Sequence, residues 1–303
     1  MLSGAPKTNN RVEIPIIMRA LDPEVGDAIW AAVEALPPKR FDAHPLGCHR
    51  PRASDRACFN VMLVRLATGC SWEDAERLTG RVVSDTTARN RRSEWVDAGV
   101  FDAIAAEAIA GYDNIIGLDS AECAVDGSLH KSPCGGEGTG KSPTDRAKLG
   151  WKWSIDTDRY GIPIGWTAKC ANRNDSILHA PTRDDVAKRG LLVDIETLWL
   201  DRGYDSNVTR TRLVERGIDD AVIAKRRKRT PGVPTATKKQ PTGLRWPVER
   251  TNSSLSNYGQ MRGTTDRKQD HRLAQLALVV SFILTAKLID WRNRWSRDLS
   301  PVR

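Results

Sequence analysis

Between Leu21 and Leu36 apolar side chains recur at Val25, Ile29, Ala32, Val33 and Leu36, the period of a helix with one buried face, and Pro37-Pro38 stops it. The first ten or so residues, polar and containing Gly and Asn, read as a loose arm. Beyond a basic, Pro-containing loop from Lys39 to Ser54, a second helix is predicted from Phe59, Met62, Leu63 and Leu66, closed near Gly69. Ser71-Trp72-Glu73-Asp74 has the form of a capping box ahead of Ala75 and Leu78, and Gly80 supplies a turn. Ser84 or Asp85 can then cap a longer helix through Trp95 that ends at Gly99. This half reads as helix, turn, helix.

From Glu122 the period changes. Short alternating or apolar runs predict strands at Cys123 to Gly127, Trp151 to Asp156, Ile162 to Ala168, Glu196 to Leu200 and Ala221 to Ile223, with helices at Ser176 to Lys188 and Asn207 to Arg216. Three strands in hairpin succession followed by αβαβ imply a mixed sheet with helices on its faces. A boundary between Tyr112 and Asp119 divides the chain into a helical unit, residues 1–115, and an α/β unit, residues 116–303. Leu273 to Ile289 is interrupted by Gln275, Ser281, Thr285 and Lys287 and is shorter than the roughly 20 residues of a membrane span, so it reads as a buried helix.

One stretch competes for a different function. In CGGEGTGKSP, Gly135, Gly140, Lys141 and Ser142 fit the spacing of a phosphate-cradling nucleotide loop. That chemistry needs an apolar strand running into the first Gly and a sustained helix starting at the Lys. Upstream stand His130-Lys131-Ser132-Pro133-Cys134, and downstream fewer than two turns precede Gly150. The stretch therefore reads as a Gly-rich loop joining two strands, and a P-loop NTPase is the weakest of the functional alternatives.

A length of 303 residues with 40% apolar content and ten Trp is enough for a sizeable core. The formal charge of +9 points to a polyanionic partner. Six Cys without a C-x-x-C pair, and without a secretory leader pattern, fit a reducing cytoplasm rather than a disulfide framework. His44, Cys48, His49 and Cys58 lack paired zinc-knuckle spacing and read as loop polar residues. Arg89, Arg91 and Arg92 stand near the middle of the second helix of the helix-turn-helix pattern, where a recognition helix contacts phosphates and guanine edges. Residues 224–243 contain Lys225, Arg226, Arg227, Lys228 and Arg229 unbroken and no acid, and the run is expected to contact DNA phosphates beside the candidate carboxylates.

Three carboxylates occupy strand-end or helical positions suited to metal chemistry: Asp126 in AVDGS, Asp201 in LWLDRGY and Glu249 in RWPVERTNSSL. The segments around them, above all Trp246-Pro247-Val248-Glu249-Arg250-Thr251, resemble bacterial insertion-sequence transposases of the DDE class, and the resemblance extends over nearly the whole chain. It implies an RNase H-like catalytic core and a helical N-terminal DNA-binding region that includes WEDAERLTG and the Arg-rich helix. It also implies that Asp126, Asp201 and Glu249 bind two Mg²⁺ ions, with Mn²⁺ able to substitute, and that Arg245 accompanies the Glu. EGTGKSPTDRAKLG looks like the family's turn and hairpin after the first Asp, and the closeness of this region to Asp126 suggests Lys131, Lys141, Arg146 and Lys148 as DNA-backbone contacts. The related signature has a Tyr three residues before the Arg and a Lys seven after the Glu. Here Thr242 and Ser256 stand there, with Tyr258, Arg262 and Arg267 as substitutes.

The implied activity is cleavage at transposon ends and transfer of the freed 3′-OH to target DNA, by a homodimer on its terminal repeats, with neither nucleotide nor membrane involved. A DNA-binding regulator retaining an inert RNase H-like domain is the alternative.

Overall fold

The computed structural model describes residues 21–38, 51–192, 195–215, 217, 220–223 and 245–298. His44, Cys48, His49, Thr242 and the basic run Lys225 to Arg229 lie outside them. The N-terminal region is helical: α1 (Pro23–Val33), α2 (Asp55–Thr68), α3 (Trp72–Leu78), α4 (Asp85–Asp97) and α5 (Val100–Ile115). The caps follow the sequence. Ser71 Oγ accepts from Asp74 N at 3.0 Å and Ser84 Oγ from Thr87 N at 3.2 Å, while Gly69 closes α2 in the left-handed region. Helix α5 fills residues to which the sequence pattern assigns no element, because Gly99 ends α4 and opens α5 without an intervening linker.

A six-stranded sheet follows, built from β1 (Glu122–Lys131), β2 (Gly140–Lys141), β3 (Leu149–Thr157), β4 (Pro163–Cys170), β5 (Thr197–Leu200) and β6 (Asp220–Ile223). Strand β3 lies antiparallel between β4 and β1, and β5 and β6 continue parallel to β1, so the main order is β4-β3-β1-β5-β6. This is the RNase H-like arrangement. Helices α6 (Asp175–Lys188) and α7 (Asn207–Val214) lie between the later strands, and α8 (Arg245–Leu255), α9 (Gly259–Arg262) and α10 (Gln269–Asp298) complete the chain.

The sheet separates two cores. On one side Cys123, Val125, Leu198, Leu200 and Ile223 pack with Val186 of α6 and Leu213 of α7. On the other, Trp151, Trp153 and Ile155 join α10 and the N-terminal helices in a continuous cluster. Helix α10 contains a stretch, Gln269–Trp295, that is long and apolar enough to cross a membrane, which corrects the expectation that it is too short. Its Leu276, Val279, Val280 and Phe282 are fully buried against the rest of the chain, so the composition serves a core helix.

A candidate active site of three carboxylates

Parallel pairing sets Val125 opposite Leu200, so the next residues in the two chains, Asp126 and Asp201, are neighbours where β5 ends. Asp126 is not at a strand end, as the sequence suggested: β1 continues to Lys131 against β3, and only its β5 neighbour stops there. Glu249 comes from α8, on which Arg245, Glu249 and Asn252 share one face by their spacing of four and seven residues. Arg245 ties the group together. Its Nη1 donates to Asp201 Oδ1 at 3.2 Å and its Nη2 pairs with Glu249 Oε1, also at 3.2 Å. Residues separated by more than a hundred positions in the chain thus meet at one point.

Asp126 is the half-buried member. Burial pushes its carboxyl up to about 6, against the pull of the Arg245 guanidinium, the Gly127 N–H and the Asn252 amide. Asn252 Nδ2 donates to Asp126 Oδ2 at 3.0 Å. On the opposite face of β1, Asp175 at the start of α6 packs under the next residue: a Cβ on Gly127 would lie 2.5 Å from its Oδ1. Lys152 Nζ holds that oxygen at 2.8 Å. Neither Asn252 at the site nor the Asp175–Lys152 pair on the far face of β1 is marked by the hydrophobic pattern. The available signals were the Asn one turn after Glu249 and the Gly directly following Asp126, which keeps room for an acid from elsewhere.

The donors fit a hard divalent cation in type, being carboxylate oxygens around a half-buried anion. Among the described residues no three acids already close into a chelate, and Arg245 supplies the positive charge between Asp201 and Glu249. Of the substitutes named for the missing Tyr and Lys, Tyr258 is buried in the core, while Arg262 turns back toward the Ser256 and Asn257 carbonyls. Arg267 is exposed beside the Gly-rich loop, with its carbonyl accepting from Glu137 N at 2.8 Å.

The Gly-rich loop is not a nucleotide cradle. Lys141 lies on β2 rather than at a helix N-terminus, and Ser142 opens a turn closed by its N–H to Lys148 O at 2.8 Å. Its glycines serve packing instead. Gly136 has φ +111°, and a Cβ there would lie 2.1 Å from Arg267 O. Lys131, Lys141, Arg146 and Lys148 are exposed around this hairpin.

The row of arginines on α4 requires a correction. Arg89 is exposed and paired with Asp85 at 2.7 Å, but Arg91 and Arg92 are only 3% and 7% exposed. Arg91 pairs with Asp55 and Glu94, and Arg92 Nη1 pairs with the buried Asp266 at 2.7 Å. Ala88, Arg91, Arg92 and Trp95 form the buried face of the helix, so two of the three guanidinium groups point into the protein rather than toward a groove.

An RNase H-like sheet carrying acids beside its central strand and on the following helix defines the class. Residues 121–285 match the family described as Transposase DDE domain, and residues 25–105 match one described as a putative transposase of the IS4/5 family. The chain belongs to the DDE transposase domain family. It is 38% identical over 148 residues to a putative transposase for insertion sequence element IS402 of Burkholderia cepacia, covering 46% of this chain and 65% of that relative. It is also 31% identical over 124 residues to an uncharacterized 16.2 kDa protein of the same element, covering 40% of this chain and 82% of the relative.

Proposed function

We propose that this chain is a transposase that cleaves DNA at the ends of an insertion sequence and joins the freed 3′-OH to target DNA. The observation that supports this reading is that Arg245 bridges Asp201 and Glu249, while Asp126, one position past the pairing of β1 with β5, is tied to the same helix by Asn252. The three acids would hold two divalent ions, Mg²⁺ or Mn²⁺, which when bound supply Lewis-acid polarisation of the phosphate and an activated water or 3′-OH. Arg245 balances the charge of Asp201 and Glu249 and offers spare N–H groups to a phosphate oxygen. Because one phosphodiester is exchanged for another, no nucleotide energy source enters the reaction.

The hairpin lysines support a duplex-binding role. Lys131 lies five residues along β1 from Asp126, about 16 Å at strand rise, a separation that duplex DNA on the acids would span. Arg89 remains the exposed arginine of the α4 trio for contact by the N-terminal helices, and a homodimer on two terminal repeats is the assembly we infer.

Incubation of the full chain with end-sequence duplex and Mg²⁺ should yield nicks at the element boundary and, with target DNA added, joined products. Binding of the end sequence without any metal-dependent nicking would favour the regulator with an inert domain. The double variant Lys141→Ala, Lys148→Ala should flatten the slope of log K against log salt by about 1.8, since each phosphate contact contributes about 0.9. Titrations on end-sequence and scrambled duplexes at several salt concentrations measure this, and an unchanged slope removes the hairpin from the DNA path.

A further inference from the structure

We propose that Asn252 is a positioning residue that fixes the Asp126 carboxylate for cation binding, and that the Trp153 indole locks the Asn252 amide in the one orientation able to do so. The inference rests on the reading of Asp126 as a metal-holding acid.

The geometry leaves little choice of roles. An indole N–H can only donate, and Trp153 Nε1 lies 2.8 Å from Asn252 Oδ1. The amide oxygen must therefore face the indole, and the NH₂ must face Asp126 Oδ2 at 3.0 Å. Neither partner can move easily. Trp153 is fully buried, stacked on His130 with 3.4 Å between ring centroids and edge-on to Trp151 at 5.2 Å. Asn252 is 7% exposed. One oxygen of Asp126 is thereby committed to α8, and rotating the carboxylate sacrifices that bond.

Residue type matters as much as distance. A Lys or Arg at position 252 would neutralise Asp126 and compete with a cation, and an ionised Asp would repel it. An amide donates without adding charge. Because Asn252 also lies one turn beyond Glu249 and two beyond Arg245, its bond to β1 sets the rotation of α8 that turns those two side chains toward Asp201. Hydrogen-bond partners of metal-holding side chains typically account for 10- to 100-fold in metal affinity.

The test is Mn²⁺ binding to the full chain without DNA, followed by the electron paramagnetic resonance signal of the free ion, in wild type, Asp126→Asn, Asn252→Leu and Trp153→Phe. Thermal midpoints and end-duplex binding in EDTA are measured on the same proteins. Asp126→Asn should lose Mn²⁺ binding, and Asn252→Leu should weaken it about 10- to 100-fold with duplex binding retained. Trp153→Phe keeps the ring in place but frees the amide to rotate, so it should weaken Mn²⁺ by a smaller factor in the same direction. Should Asn252→Leu fail to fold, Trp153→Phe decides. Loss of binding in Asp126→Asn with wild-type affinity in the Asn252 and Trp153 variants overturns the inference, even if their thermal midpoints fall, because that pattern belongs to packing alone. Undiminished Mn²⁺ affinity in Asp126→Asn instead overturns the reading of the site on which it rests.

Discussion

Asp126→Asn is expected to remove DNA cleavage and, in the same molecule, to make the metal-free fold more stable at neutral pH. Loss of the anionic ligand should lower the cleavage rate on the order of 10²–10³-fold or more, with end-duplex binding nearly unchanged because the amide keeps the volume. Asp201→Asn and Glu249→Gln should lose cleavage likewise. The stability change follows from burial, which holds the Asp126 carboxyl at about 6 in the fold. The same carboxyl ionises near 4 in the unfolded chain. Its contribution is therefore fully present below pH 4 and is lost as pH rises through 6, a swing of about 3 kcal/mol at most. Asparagine does not titrate, and the variant should be more stable than wild type by about 1–3 kcal/mol at pH 7.5 in EDTA, with the difference shrinking toward pH 4. Asp156 and Asp158, also pushed up to about 6 by burial, remain in both proteins, so the comparison isolates Asp126. Urea melts at several pH values provide the measurement. Equal stabilities at pH 7.5, or retained cleavage, would exclude Asp126 as the buried acid of the site.

The same contrast between local and distant forces decides what was legible in the sequence. Helix caps at Ser71 and Ser84, the left-handed stop at Gly69 and the alternation of β3 and β4 act within a few residues, and the pattern of side chains exposes them directly. The acids were legible through their resemblance to a family motif, and the spacing of four residues between Arg245 and Glu249 placed both on one helical face. Helix α5 escaped because Gly99 looks like an end, whereas its left-handed conformation joins two helices directly.

The inward arginines escaped for a different reason. Positions 88, 91, 92 and 95 carry the helical period of a buried face, but two of the four are Arg, which any hydrophobic pattern scores as exposed. What turns Arg92 inward is a partner 174 residues away, Asp266, and Arg91 is held by Asp55 of α2 as well as by Glu94 on its own helix, so no local window contains the whole set of partners. The Asn252 amide escaped likewise, since its orientation depends on an indole 99 residues distant.

Asp266→Ala should destabilise the protein by about 3–5 kcal/mol, the range for stranding buried charge by removing one partner. Arg65 Nη2 reaches Asp266 Oδ1 at 3.2 Å and Arg92 Nη1 reaches Oδ2 at 2.7 Å, with all three side chains less than a tenth exposed. Both guanidinium groups also lie over the Trp72 ring, 4.6 and 4.7 Å from its centroid. Arg65 comes from α2, Arg92 from α4, and Asp266 from the segment entering α10, so the cluster clamps the N-terminal helices to the half that carries the sheet. Burial alone would raise the Asp266 pKa, but Arg92 and Arg65 outweigh it and hold it below the ordinary carboxylate value. Stability from this lowered pKa is present above the unfolded value, near 4, and is lost as pH falls through the folded one, the reverse of the Asp126 case. Alanine removes that acid-side loss along with the clamp. Replacing the group together, as Arg65→Met, Asp266→Leu and Arg92→Met, should recover most of the stability, because an apolar cluster of similar volume leaves no charge unpaired. Arg92→Ala should then lose stability while keeping the wild-type preference for end-sequence over scrambled duplex. Urea denaturation of the four proteins measures the first effect and duplex titration the second. An Asp266→Ala protein within about 1 kcal/mol of wild type would mean that solvent reaches the two arginines and that the clamp does not hold the halves together.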